Sequence, residues 1–155
     1  MTPLTVGIPA PDFQLPTDSG GTATLSGFKG RKVVLFFFPK ADTSGCTVEA
    51  KDFSALKEAF AGASTEILGV SADSVAKQDK FKSKHGLGVA LASDETKAML
   101  EAYGVWVEKS MYGRKYMGVD RVTVLIDRDG RVARIWPKVK IEGHAAEVLA
   151  HAKAL

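Results

Sequence analysis

Six consecutive apolar residues, Val33-Val34-Leu35-Phe36-Phe37-Phe38, stand out in an otherwise mixed chain. A run that is apolar at every position buries both its faces, as in a central strand covered on two sides. Pro39 ends it, and a helix pattern follows in which Phe53, Leu56 and Phe60 fall at i, i+3 and i+7 before Gly62. Ile67 to Val70 predicts a second strand. Asp73 or Ser74 then caps a helix carrying Val75 and Phe81, closed by Gly86. A third apolar run, Val89 to Ala92, precedes a Ser93-Asp94 cap and a helix with Met99, Leu100 and Tyr103, ending at Gly104. Val122–Ile126 and Val132–Trp136 flank Asp127-Arg128-Asp129-Gly130, whose Asp-Gly pair signals a hairpin. A last helix puts Ala145, Val148, Leu149 and Ala152 on one face. The first thirty residues, rich in Pro, Gly, Ser and Thr, read as loops with room for one short hairpin turning at Ser19-Gly20-Gly21. Strands alternating with helices predict an α/β fold, a central mixed sheet flanked by helices.

Composition narrows what such a fold is for. The 155 residues suit a single domain, 1–155, and 45% apolar with 25% charged residues is a globular mix. Net charge is only +3, with Lys and Arg scattered along the chain, so neither nucleic acid nor an anionic membrane is indicated as a partner. The longest apolar run is too short to cross a bilayer. Met1-Thr2-Pro3-Leu4 opens without a basic segment leading into an apolar stretch, so no secretory signal is expected. One cysteine forbids an internal disulfide. A cytoplasmic location is the expectation.

That cysteine, Cys46, lies just after the buried strand and just inside the next helix, with Thr43 or Ser44 as the cap. A helix start offers unpaired N–H groups and a partial positive charge, and both favour thiolate over thiol. A lone cysteine is more often a small buried hydrophobe. Here its neighbours are Ser, Gly and Thr, which do not look like core, so both readings stand on position alone.

The surrounding residues decide between them. Pro39-x-x-x-Thr43-x-x-Cys46 resembles the active-site signature of peroxiredoxins, the thiol-dependent peroxidases, and Phe37 through Ala50 resembles their Q group, the bacterioferritin comigratory proteins. Pro9-Ala10-Pro11-Asp12-Phe13, Leu68 through Ser74, Lys97 through Trp106 and Tyr112 through Thr123 are similar to further family segments in the same order. The resemblance implies a thioredoxin-like fold, with which the element order is compatible. It implies Cys46 as peroxidatic nucleophile and Thr43 as a hydroxyl bonding peroxide and thiolate. Arg121 is then a fixed cation at the same point, Pro39 a shield from bulk water, and Glu49 the holder of an arginine. The chemistry asks for these types: an O–O bond yields to a thiolate, in line, with donors aimed at the oxygen that gains charge. Arginine stays protonated and presents a planar fork of donors.

Lys51 stands where many relatives carry a resolving cysteine, and Val75 to His85 supplies none, so the chain resembles a one-cysteine member. Ser44 replaces a frequent proline and Phe38 a frequent tyrosine. Without a resolving thiol, a sulfenic acid on Cys46 needs an external thiol: thioredoxin, glutaredoxin or glutathione. The expected substrates are hydrogen peroxide and organic hydroperoxides, and the expected state is a monomer or weak dimer. A peroxide-sensing adaptor acting through oxidised Cys46 is the rival. His85, His144 and His151 lack metal-ligand spacing, no phosphate loop is present, and no cofactor is expected. Absence of Cys-x-x-Cys argues against a thioredoxin-like reductase.

Overall fold

In the computed structural model, which describes residues 4–155, the apolar run from Val33 to Phe38 is the middle of the molecule. The reading of the opening segment as leaderless falls largely on Met1 to Pro3, outside the described residues. A short antiparallel hairpin, β1 (Gln14–Pro16) and β2 (Thr22–Thr24), precedes β3 (Lys32–Phe37). Then come α1 (Ser44–Ala55), α2 (Lys57–Gly62), β4 (Thr65–Ser71), α3 (Val75–His85) and β5 (Ala90–Ser93). The second half holds α4 (Ala98–Ala102), β6 (Trp106–Met111), β7 (Arg114–Val119), β8 (Val122–Ile126), β9 (Val132–Trp136) and α5 (His144–Ala154).

The sheet order is β5-β4-β3-β8-β9. Helical crossovers make β3, β4 and β5 parallel, since a strand that returns alongside itself needs a long connection. β8 runs antiparallel to both β3 and β9, so the sheet is mixed. Every residue of β3 is buried, because its two faces feed two separate cores. Val33, Leu35 and Phe37 pack with Phe13, Leu15, Leu100 and Tyr103 on one side. Val34, Phe36 and Phe38 pack with Phe53, Phe60, Phe81 and Val148 on the other. Phe36 stacks on Phe53 at 4.8 Å between ring centroids, which fixes α1 over the strand that leads into it.

Local chemistry explains the ends of these elements. Ser74 caps α3 by accepting the Lys77 N–H, while Asp94 acts on α4 from outside it, accepting the Leu100 N–H at 2.9 Å. The Asp127 carboxylate accepts the N–H groups of Asp129 and Arg131 and so shapes the β8–β9 turn. Two expectations need correction, and one element goes beyond them. The helix drawn through Leu56 is two, α1 and α2, because Leu56 leaves helical geometry at φ −100°, ψ 6°. The apolar run Val89–Ala92 pairs one residue later, as Ala90–Ser93. Between α4 and β8, where the sequence pattern predicts no element, the structure has a ribbon, β6 paired antiparallel with β7.

Candidate active site

The β3–β8 pairing brings the key residues together. Phe37 at the end of β3 lies opposite Val122 at the start of β8. The loop leaving β3 and the residue before β8, Arg121, therefore meet at one edge of the sheet. α1 begins at Ser44 after the Thr43 cap, placing Cys46 in its first turn. Arg121 Nη2 donates to Cys46 Sγ at 3.4 Å, and Nη1 donates to Glu49 Oε1 at 2.8 Å. One planar fork thus joins thiol and carboxylate. Gly45 makes room for it: a Cβ there would lie 3.2 Å from Arg121 Nη2 and 3.3 Å from Ile141 Cδ1.

The electrostatics follow from burial. Burial disfavours the Arg121 charge, but Cys46 and Glu49 beside it more than compensate, so its pKa lies above the ordinary arginine value. Glu49 is 1% exposed, and burial outweighs the Arg121 contact to push its carboxyl up to about 7. Its second oxygen, Oε2, is buried without a hydrogen-bond partner among the described residues, which is why desolvation dominates.

Cys46 itself is 1% exposed and packs with Phe38, Ala50 and Phe53. The expectation that it does not look like core is thereby corrected. Its sequence neighbours are polar, but the surface it meets comes from β3 and the helices around it. Core packing and reach of a cation coexist at this thiol.

The remaining candidates occupy the rim. Pro39 and Thr43 are exposed, and the Thr43 hydroxyl donates to the Lys40 carbonyl at 2.9 Å rather than to the thiol. The Thr43 side chain makes no capping bond either, although its carbonyl accepts from the Thr47 N–H at 2.9 Å and the Thr47 hydroxyl at 2.7 Å. Lys51, five residues after Cys46 on α1, is exposed. Five residues turn a helix by roughly 140°, which carries it away.

Two residues bracing the loop escape a reading of the sequence. Asp73 Oδ2 accepts the Ala41 N–H at 2.7 Å, and Asp42, in left-handed geometry at φ 64°, accepts from Lys84 at 2.8 Å and pairs with His85 Nε2 at 2.7 Å. Their spacing carries no motif; only the Ser71-Ala72-Asp73-Ser74 turn hinted at a polar cluster. Among the described residues no three His, Cys, Asp or Glu side chains gather to hold a metal, and no helix is long and apolar enough to cross a membrane.

Residues 6–135 match the AhpC/TSA family. The chain belongs to that family. Peroxiredoxin Bcp of Bacillus subtilis is 46% identical over 146 residues, covering 94% of this chain and 93% of that protein. Peroxiredoxin Bcp of Escherichia coli K12 is 38% identical, covering 96% of each. Among solved structures, a bacterioferritin comigratory protein of Xanthomonas campestris superposes with a TM-score of 0.89 at 41% identity, covering 97% of this chain and 96% of that one. A cysteine-to-serine variant of Xylella fastidiosa PrxQ gives 0.93 at 34%, covering 99% and 98%. The fold is the thioredoxin-like fold of the peroxiredoxins. This member is an enzyme of the Q group, a thiol-dependent peroxidase with one cysteine.

Proposed function

We propose that Cys46 is the nucleophile of this peroxidase and that Arg121 is its principal electrostatic partner. The observation that carries the reading is the 3.4 Å approach of Arg121 Nη2 to Cys46 Sγ, with Glu49 fixing the other arm of the fork. The Cys46 thiolate attacks the terminal oxygen of a hydroperoxide. The O–O bond breaks, the sulfur keeps that oxygen as a sulfenic acid, and the departing oxygen leaves as alkoxide or hydroxide and takes a proton. A guanidinium fixed before the reaction stabilises charge as it moves from sulfur to oxygen. Thr43 lines the entry, where its hydroxyl orients the incoming peroxide, and Pro39 narrows access for water.

The substrates we assign are hydrogen peroxide and organic hydroperoxides; the Xanthomonas relative is described for alkyl peroxide reduction. With no second cysteine in the chain, the sulfenic acid returns to thiol through an external thiol such as thioredoxin, glutaredoxin or glutathione. Such a cycle suits a reducing compartment, so we assign the cytoplasm, and residues 1–155 acting as one domain, monomeric or weakly dimeric. Reaction with peroxide should leave about one equivalent of sulfenic acid, trapped by a dimedone-type reagent. Cys46→Ser should consume no peroxide; retention of even a tenth of the rate defeats the assignment.

A further inference from the structure

The β6–β7 ribbon presents an exposed apolar surface. Of the seven large apolar side chains exposed among the described residues, four lie within it or its turn: Met111, Tyr112, Tyr116 and Met117. Tyr112 is 98% exposed at the tip. Soluble surfaces scatter such residues singly, so a cluster on one projecting hairpin marks an interaction site. The same ribbon exposes Arg114 and Lys115 against one acid, Glu108, while Lys109 folds back to donate to the Val119 carbonyl beside Asp120. Lys115 meets Glu108 only at 3.7 Å between exposed side chains, and Arg114 makes no ion pair among the described residues.

The ribbon also has a place in the chemistry. Its last residue, Val119, lies two positions before Arg121, so its base is continuous with the active site. Val48, two residues after Cys46, is half exposed. The buried thiol has no resolving partner in its own chain, so every turnover requires a visitor at this edge of the molecule.

Resting on the peroxidase reading above, we propose that the β6–β7 ribbon docks a protein dithiol whose contact face is apolar with an acidic rim. A second copy of the chain is the poorer fit, since two-fold pairing would oppose the ribbon's own cations. Once docked, the partner's thiolate attacks the Cys46 sulfur and forms a mixed disulfide. The sulfenic oxygen leaves as hydroxide and becomes water. The partner's second thiol then attacks its own half of that bond and releases Cys46. Two electrons pass from the dithiol to the sulfur. The partner leaves as a disulfide.

The test compares reductants on the full chain and two ribbon variants. Arg114→Glu/Lys115→Glu reverses exposed charge. Tyr112→Asn removes the exposed ring while keeping a residue that tolerates left-handed backbone. With thioredoxin as probe, the KM should rise about tenfold in the charge variant and several-fold in the tyrosine variant, and added salt should raise the parent's KM toward the charge variant's. Turnover on dithiothreitol and single-turnover oxidation of Cys46 by peroxide should stay at the parent's values. An unchanged thioredoxin KM in both variants overturns the inference, as does equal loss with dithiothreitol, or a change in sedimentation with no change in KM. A parent that turns over with no thiol at all overturns the peroxidase reading and this inference together.

Discussion

Glu49 accepts from Arg121 at 2.8 Å through one carboxylate oxygen, while the other is buried with no hydrogen-bond partner among the described residues. This arrangement makes stability depend on pH. The folded carboxyl, pushed up to about 7 from an ordinary 4.5, holds its proton over a window in which the unfolded chain has released it. The folded state then binds more protons than the unfolded one, so stability falls as pH rises from about 4.5 toward 7 and levels off beyond. Denaturant titrations at several pH values should show this decline in the parent and a flatter profile in Glu49→Gln. Parallel profiles for the two proteins would remove Glu49 as the source.

Arg121→Lys keeps the charge but cannot donate to Cys46 and Glu49 at once. Oxidation of Cys46 should slow by roughly 10²–10³, the scale for losing a preorganised donor. Stopped-flow measurement of the single-turnover rate reads this directly. A rate within threefold of the parent would show that charge alone suffices.

Gly45→Ala places a methyl 3.2 Å from the guanidinium, so Arg121 or Ile141 must yield by a few tenths of an ångström. The expected result is a slowing of oxidation by about tenfold, the order attached to small misplacements of a reacting constellation, with little loss of stability. Equal rates with an unmoved guanidinium in a crystal structure of the variant would refute it.

Thr43→Val removes a hydroxyl that donates to the Lys40 carbonyl, while Thr43→Ser keeps it. Peroxide oxidation should slow by roughly 10²-fold in the valine variant and only slightly in the serine variant, if the hydroxyl rather than the side-chain bulk is what the site uses. Valine and serine variants of equal rate would exclude the hydroxyl from the mechanism.

Lys51→Cys tests recycling. The two Cα atoms would lie about 8 Å apart along α1 on different faces, beyond disulfide reach. Closure needs the first turn to unwind, starting at Ser44-Gly45. After peroxide, mass spectrometry should show the loss of two hydrogens, and circular dichroism a small loss of helix. A persistent sulfenic acid beside a free introduced thiol would show that the turn holds.

What the sequence reveals follows the range of its signals. Local ones carried far: the run before Pro39, the Ser74 cap, the Asp-Gly turn after β8 and the spacing of Thr43 and Cys46 all match elements of the structure. The β6–β7 ribbon did not show, because its exposed faces mix Glu108, Lys109, Tyr116 and Met117 without alternation and it turns at Tyr112-Gly113, both at positive φ, rather than at Asn-Gly. Asp42 and Asp73 act through partners 43 and 32 positions away, as for His85 and Ala41. The burial of Cys46 was hidden for a different reason: its immediate neighbours Ser44, Gly45 and Thr47 are not apolar, while Phe38, Ala50 and Phe53, which share its core cluster, come from β3 and from later turns of α1.

On the reading proposed above, the register of β3 on β8 also sets when the chemistry begins. Arg121 follows Cys46 by 75 positions. At about 5–20 residues per second, a ribosome delivers the thiol several seconds before the guanidinium that works with it. Until β8 pairs with β3, the nascent chain carries the Cys46 thiol without its cation. The order of synthesis alone keeps the two apart.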